Sequence, residues 1–480
     1  MYYVLRKMPP LASVSSASIW EGKFCEAIAD YMRELAILAK PTKGLYVSCD
    51  GVVCAAKRKQ QRLRRFKGPW VAAAEAAVKR SASGLVADAE AEADAWNQNA
   101  LTPGSAFMER LGTVLTVAGA QLAKQNGIAV TVSTTAEPGE GEHKLLRVMR
   151  EIRPATCTIY GLDADLILLS MLLGVDTGAD VRLMREAQEF ERTSGVGEWR
   201  SLTVNGLVAV TLKNRPDHVR DYVACMSLLG NDFLPRSLTH TVRDEGIPNL
   251  IRALERTVWG AGLCIVGADG QLQRNGLLAL LRPWAATEDD DMRAAISSAQ
   301  STARRHPGAG SGPEEMALRV WNSQPAQWCT IAALLNPDGA SVYARAAGDA
   351  DSYIRGLAWT WDYYSGRPVD LGWFFEEHLP PRWSEVVRAL ETQKEIAAPP
   401  LRWTEALPAW LHLLSVLPAD SARALLPAHR LGALKDAPWY WPTTWSLFSM
   451  GRSQMWECEP VIPIPAEAVV RGWAKSQVKA

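Results

Sequence analysis

The chain has 480 residues in which 52 Lys plus Arg balance 52 Asp plus Glu, so it is long enough for about two to four domains, and its zero net charge excludes a protein that binds nucleic acid through bulk charge alone. Eight cysteines, with no CxxC pair, exclude a disulfide scaffold and read as reduced intracellular thiols. No apolar run approaches the roughly 20 residues needed to cross a bilayer, which excludes a membrane protein of the helical kind.

Met1 to Ser16 carries Arg6 and Lys7 among several serines, with no acid before Glu21. It reads as a mitochondrial presequence or, in preference, as a ragged start, and residues 1–19 form a tail in this reading. Phe24, Ala27, Ile28, Tyr31, Met32, Leu35 and Leu38 recur at helical spacing, which predicts a helix over Trp20 to Leu38. A Lys-Pro-Thr-Lys-Gly turn follows, and Leu45 to Cys49 reads as a strand ending at Asp50-Gly51. The Ala/Glu-rich stretch Ala72 to Asp94 reads as a solvated helix or a partly disordered excursion.

Pro103 to Lys124 is predicted as an amphipathic helix leading into a strand over Ile128 to Val132, with a new helical run from Lys144 to Met149. A strand over Thr156 to Tyr160, a helix over Leu166 to Leu173, a strand near Val181 to Met184 and a helix over His218 to Leu229 follow. From about Arg243 the alternation gives way to mainly helical sequence, broken by a low-complexity patch at His306 to Pro313 that reads as a flexible loop. Thirteen of the 19 tryptophans fall after residue 320; core packing accounts for most of them, and base stacking suits a few.

Acids gather at the ends of the predicted strands. Pro138-Gly139-Glu140-Gly141-Glu142-His143-Lys144 sets two carboxylates among glycines at a strand-to-helix turn, and Tyr160-Gly161-Leu162-Asp163-Ala164-Asp165 repeats the arrangement. Asp50 ends the earlier strand, and Asp232 is presented by the turn Gly230-Asn231-Asp232-Phe233 that closes a helix. In an open parallel sheet the crevice beyond the carboxyl ends of the strands is where ligands bind. Carboxylates brought together there raise one another's pKa values or demand cations, and oxygen donors suit Mg²⁺ or Mn²⁺. Each acid taken singly also suits a plain helix N-cap. Asp221 reads as a solvated helix-face acid.

Directly after Asp50, seven cations fall within eleven residues: Lys57, Arg58, Lys59, Arg62, Arg64, Arg65 and Lys67. Lys57, Gln61, Arg64 and Arg65 stand at i, i+4, i+7 and i+8, one face of a helix. A solvated charged face is the ordinary outcome of such a run; beside a metal-ligand acid, its arginine forks also suit phosphate oxygens.

These residues resemble the XRN 5′→3′ exoribonucleases. The similarity runs in order through Asp50-Gly51-Val52, Lys57, Gln60-Gln61-Arg62 and Arg64-Arg65-Phe66; Leu101 to Met108; Pro138 to Lys144; Tyr160 to Leu168; and Leu228 to Pro235. Weaker similarity continues through Tyr353 to Trp359, Tyr363 to Gly366, Leu414 to Pro427 and Trp456 to Pro465, so that roughly residues 20 to 472 are covered.

The resemblance implies an α/β fold of the PIN/flap-endonuclease-like group, with a mixed or mostly parallel sheet flanked by helices over residues 20–240 and a mainly helical region over 241–480. It implies two divalent ions, Mg²⁺ or Mn²⁺, held by Asp50, Glu140, Glu142, Asp163, Asp165 and Asp232. It implies a 5′-phosphate pocket from Lys57, Gln61, Arg64 and Arg65, and base stacking by Trp373, in Gly372-Trp373-Phe374-Phe375. The substrate would be single-stranded RNA with a 5′-monophosphate, and no membrane is involved. The expected location is intracellular, the cytoplasm first, with nucleus or mitochondrion as alternatives.

Relatives of this kind usually open with a strand whose end carries a further metal-binding Asp, followed by a His. That unit is absent before Asp30, so an upstream extension supplying it is expected. The runner-up reading is a catalytically impaired RNA-binding or scaffold relative; a metabolic hydrolase or phosphatase is third, disfavoured by the basic helix.

Overall fold

A computed structural model describes residues 1–83, 96–161, 163–187, 199–242, 245–304, 312–328 and 347–476. The later part of the Ala/Glu-rich stretch and most of the His306 to Pro313 patch lie outside these. The short helix α1 (Tyr2–Leu5) buries Val4, and the Trp20 indole donates to the Pro9 carbonyl at 2.8 Å, so the first residues pack on the long helix α2 (Ala17–Ala39). Ser16 caps α2 by accepting from the Ile19 N–H, and Phe24, Ile28 and Met32 form its buried stripe.

Strand β1 (Gly44–Ser48) leads through Asp50 into α3 (Ala55–Ser83). Helix α4 (Ala106–Asn126) then feeds β2 (Ala129–Ser133), which pairs parallel with β1, Leu45 opposite Val130 and Val47 opposite Val132. A Cβ at Gly119 of α4 would come within 2.8 Å of Val132, so this glycine lets the helix lie close on the sheet. Phe24 and Phe107 stack with centroids 5.4 Å apart in the core between α2, α4 and this pair of strands.

Helix α5 (Gly141–Ile152), strand β3 (Thr156–Tyr160), helix α6 (Asp165–Thr177) and strand β4 (Asp180–Glu186) follow. β3 and β4 are parallel; β5 (Trp199–Thr203), not expected from the sequence, adds antiparallel to β4. The described strands of this half therefore form a two-stranded and a three-stranded sheet. Between them the Tyr31 hydroxyl of α2 and the Tyr160 hydroxyl of β3 both donate to Glu186. Helices α7 (Val204–Thr211) and α8 (Val219–Met226) close this half.

Helical structure dominates the rest: α9 (Gly246–Ala253), α10 (Arg274–Arg304), α11 (Pro313–Trp328), α12 (Ala350–Ser365), α13 (Trp383–Thr392), α14 (Ala409–Val416) and α15 (Ala419–Leu425). A hairpin of β6 (Ser446–Phe448) and β7 (Glu459–Val461) and a short helix α16 (Glu467–Gly472) end it. The largest apolar core runs from Ile159, Leu169 and Val223 to Tyr353, Trp359 and Trp383, joining both halves. No helix among the described residues is long and apolar enough to cross a membrane.

The α/β expectation for the first half and the helical expectation for the second match these elements. Asp221 is a correction: rather than facing solvent, it is buried, accepting from the Trp259 indole and from the Val266 N–H at 2.8 Å each. Its carboxylate satisfies a half-buried indole and a buried backbone donor, which an isolated helix pattern does not reveal.

Candidate active site

The backbone after β1 is clasped to the Pro138 turn. Gly51 donates to the Gly139 carbonyl and Gly139 to the Val52 carbonyl, both at 2.8 Å. A side chain at Gly51 would overlap the Glu137 carbonyl, and Gly139 sits at φ +103°, so each position requires glycine. Lys144 is buried and reinforces the clasp by donating to the carbonyls of Thr134 (2.9 Å) and Glu137 (3.2 Å). These contacts place the start of α5 beside the end of β1.

Five of the predicted acids lie near one another without meeting at a single point. Glu140 is the N-cap residue of α5 and is buried, Glu142 lies in its first turn, Asp163 and Asp165 open α6, and Asp232 sits in the turn after Leu229. The Asn231 side chain shapes that turn by accepting from the N–H groups of Phe233 and Leu234, each at 2.9 Å. Burial together with the charges of Glu140, Asp163 and Asp165 pushes Glu142 up to about 9. Burial together with Asp232 and Asp163 pushes Asp165 up to about 6. Asp50 is differently engaged: it is exposed, and its Oδ1 accepts from the Gly141 N–H at 2.7 Å, capping α5.

Lys57 of α3 stands among these acids. Its Nζ lies 2.6 Å from Glu140 Oε2 and 2.6 Å from Asp232 Oδ2. Burial works against its charge, but the two carboxylates outweigh it and hold the ammonium well above the ordinary lysine pKa. The second oxygens are occupied too: Tyr363 Oη donates to Glu140 Oε1 at 2.7 Å, and Gln60 Nε2 to Asp232 Oδ1 at 3.2 Å. Tyr364 Oη donates to Asp165 Oδ2 at 3.0 Å. The His143 ring packs 4.1 Å from that of Tyr363, and burial, aided by Lys57, takes it down to about 3, so it is neutral.

The basic run divides three ways. Arg58 pairs with Glu467 in the interior, and Arg62, 1% exposed, donates to the carbonyls of Pro463, Ser415 and Tyr440. Lys59 donates to the carbonyls of Phe375, Glu376 and Glu377 and Lys67 to those of Trp456 and Cys458, so four cations anchor α3 to the second half. Arg65 donates to Asn99 at 3.0 Å, and Gln61 is buried with its Oε1 unpaired. Arg64 is exposed and lines, with Gln60, Lys67, Asp232, Phe233 and Trp456, a cleft of about 300 Å³.

Trp373 packs 5.2 Å from Trp359 against the main core, whereas Trp456 is 48% exposed on the cleft. Sequence reasoning assigned no role to Tyr363, Tyr364, Gln60 or Trp456. The tandem tyrosines lie inside a recognised similarity block, which was the available signal; Trp456 also lies in one.

A cluster of carboxylates lies beside a cleft whose lining mixes cations (Lys59, Arg64, Lys67) with acids (Asp232, Glu377, Glu457, Glu459). Residues 6–187 match the family described as the XRN 5′-3′ exonuclease N-terminus. This stretch of the chain is thus similar to the XRN family. It is 30% identical over 323 residues to a 5′-3′ exoribonuclease 2 of Eremothecium gossypii, covering 56% of this chain and 34% of that protein. To the 5′-3′ exoribonuclease 2 of Saccharomyces cerevisiae it is 34% identical over 169 residues, 32% of this chain and 17% of that one. The 5′-3′ exoribonuclease 1 of the same yeast is 28% identical over 288 residues, 53% and 18% of the two chains. The chain thus spans about a third or less of the length of these relatives, and the family match over residues 6–187 includes α3 and the turns carrying Glu140, Glu142, Asp163 and Asp165.

Proposed function

We propose that this chain is a 5′→3′ exoribonuclease that hydrolyses single-stranded RNA bearing a 5′-monophosphate, with a PIN/flap-endonuclease-like fold and an intracellular, chiefly cytoplasmic, location. The observation that carries the reading is Lys57: a side chain of the basic helix touches the acid cluster directly, so phosphate-binding and hydrolytic groups adjoin.

The donor set suits Mg²⁺ or Mn²⁺. Glu142 and Asp165 are pushed upward by burial first and by the neighbouring carboxylates second, and a divalent cation would offset both. Glu140, Glu142, Asp163, Asp165 and Asp232 would hold it, with Asp50 at the edge. The chemistry supplied by such ions would be activation of a water and stabilisation of a leaving oxygen. The protein's own part is positioning: Tyr363 and Tyr364 fix the lone pairs of Glu140 and Asp165, Arg64 and Lys57 attract the 5′ phosphate, and Trp456 offers a face to a base.

One observation favours the second reading, a catalytically impaired RNA-binding relative: among the described residues no three acid, His or Cys side chains converge tightly enough to hold one ion. A single assay separates the two. Labelled RNA with a 5′-monophosphate should release mononucleotides with Mg²⁺ and not with EDTA, and 5′-hydroxyl RNA should be slower. RNA binding without release at any divalent-ion concentration would establish the impaired relative instead.

A further inference from the structure

We propose that Lys57 is a charge switch that couples recognition of the 5′ phosphate to divalent-ion binding. Without a 5′ phosphate it neutralises Glu140 and Asp232; a 5′ phosphate draws it away, and those carboxylates then take the ion. The inference rests on the nuclease reading above and explains how that site would reject other RNA ends.

Three observations carry it. Lys57 Nζ is within 2.6 Å of both Glu140 and Asp232, the position from which a cation would compensate both. The other oxygens of those carboxylates accept from Tyr363 and Gln60, so the pair is arranged around an ammonium. No three acids among the described residues converge on one point, as they would have to around a metal ion. An ion and an ammonium sharing the same two carboxylates repel each other strongly at such distances, so ion binding must displace Lys57.

The displaced side chain has somewhere to go. Lysine is a point charge on a flexible stem, and Lys57 sits on α3 two turns before exposed Arg64, with Gln60 of the cleft between them. A terminal phosphate carrying nearly two charges competes for the ammonium that the acids now hold. Each ligand therefore frees the group the other needs. By linkage the coupling is reciprocal: the ion must favour the 5′ phosphate by the same factor as the 5′ phosphate favours the ion.

The test uses the full chain, Mn²⁺, and a hydrolysis-resistant 2′-O-methyl phosphorothioate RNA with either a 5′-monophosphate or a 5′-hydroxyl. RNA affinity is read by fluorescence anisotropy with EDTA or Mn²⁺, and Mn²⁺ affinity by calorimetry with and without each RNA. In the wild type, preference for the 5′-monophosphate should rise about tenfold with Mn²⁺, and that RNA should tighten Mn²⁺ by the same factor. Lys57→Met should bind Mn²⁺ alone at least as tightly as wild type and lose the coupling. A wild-type preference indifferent to Mn²⁺, or weaker Mn²⁺ binding by Lys57→Met, overturns the switch while leaving the nuclease intact if ion binding and cleavage persist. Absence of Mn²⁺ binding in the wild type overturns the nuclease reading itself. The wild-type measurements decide the matter even if the variant fails to fold.

Discussion

Tyr364 Oη donates to Asp165 Oδ2 at 3.0 Å across 199 residues of chain, so a helix of the second half orients an acid at the start of α6. Tyr363, its neighbour on α12, does the same for Glu140 at 2.7 Å. Hydrogen bonds to charged groups contribute roughly 1.5–3 kcal/mol. Tyr364→Phe should therefore slow release of nucleotides about tenfold or more, with RNA affinity in Ca²⁺ little changed. An unchanged turnover rate would show that Asp165 needs no orienting donor.

Glu142→Gln and Asp165→Asn should affect activity and stability in opposite directions. Turnover should vanish while RNA binding survives, because the proposed RNA contacts, Arg64 and Trp456, are left in place. The metal-free protein should become more stable, by on the order of 2 kcal/mol for Glu142→Gln, since a neutral amide replaces a carboxyl held far above its ordinary range. Denaturant melts in EDTA alongside RNA decay assays check both halves; full divalent-dependent activity in both variants would remove these acids from the reaction.

The same shift sets a pH dependence. With Glu142 raised from 4.5 to about 9, the folded state binds more protons than the unfolded one between those values. Its contribution to stability is therefore fully present below about pH 4.5 and falls as pH rises towards 9. A divalent ion offsets that loss. Mn²⁺ should thus raise the melting temperature more in alkaline than in mildly acidic buffer, and an equal rise in both would place the ion elsewhere.

Arg62 and Arg64 are two residues apart with opposite expected roles. Arg62→Ala removes a buried guanidinium from the carbonyls of Pro463, Ser415 and Tyr440 and should destabilise the protein by about 3 kcal/mol or more. Arg64→Ala should leave the melting temperature alone, weaken RNA binding, flatten its salt dependence and reduce preference for a 5′-monophosphate. Equal loss for monophosphate and hydroxyl ends would make Arg64 a general RNA contact.

For the tryptophans the contrast is similar. Trp456→Ala should cost roughly 1–3 kcal/mol in single-stranded RNA affinity with an unchanged melt, and Trp373→Ala should lower stability because its ring is packed against Trp359. Anisotropy titrations and thermal melts of both variants suffice, and the reverse pattern would restore Trp373 as the stacking residue.

What the sequence by itself determined was local. Apolar alternation marks β1, β2 and β3, glycine and acid chemistry marks the turns that follow them, and the positions of Asp50, Glu140, Glu142, Asp163, Asp165 and Asp232 relative to those turns are fixed within a few residues of chain. Strand β5 escaped because its residues are largely exposed and its partner is already set by β4. What only the tertiary structure decided was direction and company. Cations along α3 look alike in sequence, yet Arg62 is buried because carbonyls from Ser415, Tyr440 and Pro463 surround it, whereas Arg64 opens onto the cleft. Asp221 differs from the clustered acids because it meets Trp259 and the Val266 N–H, and Lys57 differs from the other lysines because its reach ends between Glu140 and Asp232. Such roles depend on groups tens to hundreds of residues away, which neither periodicity nor local turn chemistry encodes.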